Sequence, residues 1–196
     1  AATAPGQDLL HLSLSVVCES ARAGTLPDHL SAGLLRLTGI EPPSIDGSLG
    51  VAYLVPLLPH LSASQARAVL PHVLRLPQAE SREALARLMH AEPPPLRPEE
   101  LLVELHVLAY EEHGVALKAV MEAVSLCLNE RSVFSEVCVS TGLMSLVEVE
   151  PIPKLTMRTI MQAVSSLPTL RPFVMDVLRR LLQRGVAQAP KLWEGF

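Results

Sequence analysis

Seven histidines and three cysteines have the widest chemical repertoire in this chain, and their spacing decides what they could do. His11, His29, His60, His72, His90, His106 and His113 form no H-E-x-x-H pair, and Cys18, Cys127 and Cys138 lie too far apart for zinc-ligand spacing. Glu104 and His106 stand two apart, on different faces of any helix. Glu111, Glu112 and His113 cluster beside Gly114, where a solvated acidic turn is the plain reading. No G-x-S-x-G, phosphate-binding loop or G-x-G-x-x-G is present. Cys127 has no electropositive neighbour on its own helical face to activate it, and the three cysteines read as buried free thiols of a reducing compartment. No catalytic residue, metal ligand or cofactor-binding residue is assigned.

What remains is an asymmetry of charge. From Lys154 to Lys191 the basic residues are Lys154, Arg158, Arg171, Arg179, Arg180, Arg184 and Lys191, with Asp176 as the only acid. From Glu80 to Glu112 acids outnumber bases, with only Arg82, Arg87 and Arg97 among eight glutamates. Arg179, Arg180 and Arg184 project from one side of a helix, and Asp176 pairs with one arginine at a time at i,i+3 or i,i+4. The natural complement of the others is an acidic segment, within this chain or on another. With Lys191 and the single tryptophan, Trp193, these arginines form the candidate partner-binding set. Trp193 also has a structural reading, as the pin that holds the last helix on its neighbour. A second function follows from the same charges: direct RNA binding by the basic end. The formal net charge is −4 and aromatics are 3% of residues, so such binding would be weak and sequence-blind.

The elements that position these residues are helical. Hydrophobic residues are 49% and charged residues 18%, enough apolar content for an ordered core, and the apolar set is mostly Leu, Val and Ala, which favours helix packing. The longest uncharged run, Gly47 to Ala66, is interrupted by Pro56, Pro59, His60 and Gln65, so its apolar part is too short to span a bilayer and no membrane segment is read. Glu41 to Gly47 is the clearest linker, dividing N-terminal helices in residues 1–46 from a helical stack in residues 47–196. The chain opens on Ala1 and stops at Gly195-Phe196, which reads as an excerpt of a longer protein.

Within the stack, Ser62 to Gln65 fits a capping box, Glu83 and Arg87 an i,i+4 pair, and Pro98 a first helical position ahead of Glu99 and Glu100. Pro56 and Pro71 fall inside helices and should kink them. Leu117, Val120, Met121, Val124 and Leu128 form one buried stripe; Ser132 is the expected cap of a helix running to about Val147, with Gly142 its weak point. Met157, Ile160, Met161, Val164 and Leu167 make one apolar stripe, and Phe173, Val174, Val177, Leu178, Leu181 and Leu182 another, joined by Pro168-Thr169-Leu170 into an antiparallel hairpin. The pattern predicts an all-α fold, a HEAT-like α-solenoid of about nine or ten antiparallel helices paired roughly every 35–45 residues.

The spaced residues Met157, Arg158, Thr159 and Gln162, then Pro168, Leu170, Phe173, Val174, Met175, Leu178, Arg180 and Leu181, then the run Pro190 to Phe196, resemble the C-terminal domain of the symplekin family. Upstream the resemblance takes in Glu99 to His106, Leu126 to Phe134 and Pro151 to Pro153, and it fades before about Val51. Pro172 stands where a glycine or small residue is expected, and Gly185 to Gln188 replaces a more basic, aromatic-containing segment. The resemblance implies a non-enzymatic nuclear scaffold of pre-mRNA 3′-end processing, in cleavage and polyadenylation and in histone pre-mRNA processing. The partners it implies are the cleavage-factor endonuclease of the metallo-β-lactamase type and its inactive homologue, held through their C-terminal regions, with other 3′-end processing subunits possible.

Overall fold

A computed structural model describes residues 51–194 together with Gly33, and among them every regular element is a helix. The expected helices and linker of residues 1–46 lie outside the described residues, Gly33 apart. The described α-helices are α1 (Ala63–Leu74), α2 (Gln78–Met89), α3 (Pro98–Val107), α4 (Leu117–Asn129), α5 (Glu136–Glu148), α6 (Thr156–Ser166), α7 (Arg171–Gln183) and the single turn α8 (Pro190–Trp193). None of them is long and apolar enough to cross a membrane. The chain divides into two compact units between Leu96 and Arg97, within the proline-rich connection after α2.

In the first unit a 3₁₀ helix, Val51–His60, precedes α1 and α2. Pro56 and Pro59 lack the N–H that an α-helical ladder needs, which accounts for the tighter form where a helix was expected. Ser62 caps α1: its hydroxyl accepts from Gln65 N while Gln65 Oε1 accepts from Ser62 N at 2.9 Å, the reciprocal pair anticipated. Pro71 lies inside α1 and is buried with Val69, Leu70, Val73 and Leu74. On α2, Ala84, Leu85, Leu88 and Met89 face the core, while Glu83 and Arg87 pair at 2.9 Å in solvent. This helix begins at Gln78, where Pro77 supplies the extended entry.

The second unit alternates. α3 packs on α5 and α5 on α7, α4 packs on α6, and the sequence neighbours α3 and α4, α5 and α6, and α6 and α7 also pack on each other, an arrangement consistent with an α-solenoid. Pro98 opens α3, and the Glu100 carboxylate accepts from the Arg97 backbone N–H at 3.2 Å. The core is built by Leu101, Leu102 and Leu105 of α3, Val124, Cys127 and Leu128 of α4, Leu143 and Leu146 of α5, and Phe134, which is buried in the turn before α5. That turn moves the cap of α5 from the expected Ser132 to Ser135, whose hydroxyl accepts from Cys138 N; Ser132 instead donates to Glu130. Gly142 is a site of close approach and not a weak point. A Cβ there would stand 3.0 Å from Leu102 Cδ2 and 3.6 Å from Glu99 O, so its absence lets α5 sit tightly on α3. Gly185 ends α7 in the left-handed region, φ +76°, as a helix-stopping glycine does. Pro172, the departure noted above, lies in the first turn of α7, where no N–H is required.

Two expected faces are rotated by about one residue, and a third is narrower than expected. On α4, Leu117 is 41% exposed and Met121 half-buried, while Ala123 and Cys127 are buried. On α6, Met161 is 51% exposed and Val164 half-buried, while Thr156, Thr159 and Ala163 are buried with Met157 and Ile160. On α7, Val174, Val177 and Leu181 are buried, Phe173 and Leu178 half-buried, and Leu182 is 48% exposed. For α6 the cause is visible. His106 of α3 reaches across to Thr159, so burying that threonine costs little, while the Thr156 hydroxyl on the same face is buried without a hydrogen-bond partner.

Candidate protein-docking surface

Arg179, Arg180 and Arg184 do not stand free. Arg179 pairs with Asp176 one turn back, at 2.6 Å. Arg180 reaches Glu148 at the end of α5, at 3.5 Å. Arg184 is the most enclosed of the three, with a side chain only 22% exposed; it donates to Val147 O and lies 2.8 Å from Glu150 Oε2. The acidic complement expected for these guanidiniums is thus within the chain, and it stitches the end of α7 to the end of α5. Trp193 is 48% exposed on α8, so its indole is shared between the fold and solvent. The backbone of Lys191 lies in the same turn, and its side chain is outside the described set.

Glu150 carries this surface onward into a groove of about 590 Å³ between the segment after α3 and the segment after α5. Val107, Leu108, Val149 and Ile152 give it an apolar wall. Lys154 crosses its mouth, 3.2 Å from Glu111 and 5.9 Å from the centre of the Tyr110 ring, and the hydrogen bond to Glu111 holds its ammonium above the ordinary lysine range. Glu111 and Glu112 are exposed on the turn closed by Gly114, φ +62°, as the sequence pattern anticipated. Sequence reasoning missed this groove because its two segments are distant in the chain and neither is periodic.

Beneath it lies His106. Its Nδ1 donates to Leu102 O at 2.7 Å, and in the neutral ring its Nε2 accepts from the Thr159 hydroxyl at 2.7 Å. Burial pulls its pKa down to about 4. Burial likewise pushes the thiol of Cys127 up to about 12, and burial with Glu99 nearby does the same for Cys138. Both thiols are free and protonated at neutral pH, the reverse of an activated nucleophile. Among the described residues, no group of three or more His, Cys, Asp or Glu is placed to hold a metal ion. The arrangement offers paired charges, half-exposed apolar side chains and a groove between two loop segments.

No solved structure matches the chain. The family model described as Symplekin tight junction protein C terminal matches residues 50–196, which takes in every helix from α1 to α8 and all six stretches named for their resemblance. The chain belongs to the symplekin C-terminal family.

Proposed function

We propose that this chain is a non-enzymatic scaffold module of pre-mRNA 3′-end processing, acting in the nucleus, in cleavage and polyadenylation and on histone pre-mRNA. Its partners in this reading are the cleavage-factor endonuclease subunit and that subunit's inactive homologue, engaged through their C-terminal regions. The observation that carries the reading is the family match, which extends over the whole described helical stack and not over one hairpin of it. A stack of helical hairpins supports the reading physically, because it presents extended surface along successive helices. Exposed Met161, Met175, Leu182 and Trp193 are the apolar side chains such a surface would use.

The pairing of Arg179, Arg180 and Arg184 with carboxylates weighs against RNA as the ligand of this end, since much of the basic charge is already matched. Co-precipitation of the chain with the C-terminal regions of the two nuclease-family subunits tests the scaffold reading. Retention of either subunit is expected, and retention of neither overturns it. Single-stranded RNA that binds tightly at physiological salt would move the assignment to nucleic acid.

A further inference from the structure

Between α4 and α6 runs an open groove of about 310 Å³. Its floor includes the buried Leu128; Asn129 lines it from α4, and Arg158, Met161 and Gln162 line it from α6. These residues come from two of the stretches that resemble the family, and α4 and α6 bring them together by stacking. Arg158 is exposed and, among the described residues, has no ion-pair or hydrogen-bond partner. It shares this with Arg171 and differs from Arg97, Arg131, Arg179, Arg180 and Arg184 of the same unit, each of which is tied to a carboxylate or a carbonyl; of the two unpartnered arginines, Arg158 is the one that lines the groove. No carboxylate lines the groove. Met161 is 51% exposed beside it, and the Asn129 and Gln162 amides make no hydrogen bond to the described chain.

We propose that this groove binds an extended, acid-bearing peptide segment. The Arg158 fork receives a side-chain carboxylate, for which its planar donors are shaped. Met161 and Leu128 receive a neighbouring aliphatic side chain, a role suited to the adaptable thioether. Asn129 and Gln162 each offer a donor and an acceptor, which match the N–H and C=O of a peptide unit. Only an extended segment presents those backbone groups; a helix has spent them internally. One cation and no aromatic lining make a poor site for nucleic acid, which needs several phosphate contacts or stacking platforms. The inference rests on the scaffold reading for the existence of a partner and adds the surface and the chemistry of the segment it takes.

The test is a selection from a random-peptide library on the whole 196-residue chain, followed by binding measurements with the selected peptides. Sequences with Asp or Glu beside an aliphatic residue are expected. Arg158→Glu should weaken them about tenfold or more, the scale of a lost charge-assisted hydrogen bond, and leave the melting curve in place. A peptide with Lys in place of its acid should bind Arg158→Glu better than it binds the unaltered chain, a readout that a merely destabilised variant would not give. The proposal is overturned by a selection that returns no binders or binders without acidic residues, by equal binding to Arg158→Glu, or by single-stranded RNA that displaces the peptides from the groove. Failure of the nuclease-subunit co-precipitation sinks the scaffold reading by a separate measurement, so the two outcomes are distinguishable.

Discussion

Lowering the pH from about 7 to about 5 is expected to remove about 2 kcal/mol of folding stability through one side chain, His106. In the fold its imidazole is neutral, held between Leu102 O and the Thr159 hydroxyl, and its pKa lies at about 4. In the unfolded chain it returns to about 6.5. Between those values the unfolded state binds the extra proton, so stability falls as pH falls through the window and levels off below about 4. The full difference amounts to about 3 kcal/mol, of which roughly two thirds is lost by about pH 5, where most carboxylates are still ionised. The assay is urea unfolding followed by far-ultraviolet circular dichroism at a series of pH values, on the unaltered chain and on His106→Gln. Subtracting one series from the other removes the carboxylates and leaves the histidine. A difference that changes by about 2 kcal/mol across the window supports the buried, neutral bridge. Parallel curves would show that His106 is solvated, and would remove the explanation given for the rotated face of α6.

Leu181→Ala should cost about 2–5 kcal/mol, because Leu181 is fully buried in the stack of α7 on α5; Leu182→Ala, on the exposed side, should cost under about 1 kcal/mol. Equal costs from denaturant melts would contradict the helical phase. Gly142→Val should destabilise by about 1–3 kcal/mol, since even the first added carbon meets Leu102 at 3.0 Å; a melt as stable as the parent would mean α5 and α3 do not approach closely. Arg184→Ala should cost about 1–2 kcal/mol because it strips Val147 O and Glu150 of a half-buried partner, whereas Arg179→Ala, removing an exposed local pair, should cost under about 0.5 kcal/mol. The reverse order in a thermal melt would sever α7 from the end of α5.

Helix existence was legible because it rests on local rules. Pro98, the Ser62–Gln65 box and the Glu83–Arg87 pair each specify their surroundings within one turn, and each is found as read. The faces were less legible. Counting apolar residues alone placed Met161 and Leu182 inside, whereas packing exposes both and buries Thr159, because a partner 53 residues away satisfies the threonine hydroxyl. Gly142 shows the same limit: composition marks a glycine as a break, and only the neighbouring α3 reveals that the missing side chain makes room. The arginine row was found by charge, yet its partners Glu148 and Glu150 are about thirty residues upstream and carry no signal in a helical wheel.

The central claim, that this family member is a protein-binding scaffold, is tested most directly by mixing the purified chain with the C-terminal regions of the endonuclease subunit and of its inactive homologue and resolving the mixture by size-exclusion chromatography with light scattering. The account predicts a stable stoichiometric complex with at least one of them at physiological salt. Separate elution of all components at concentrations well above micromolar would contradict it.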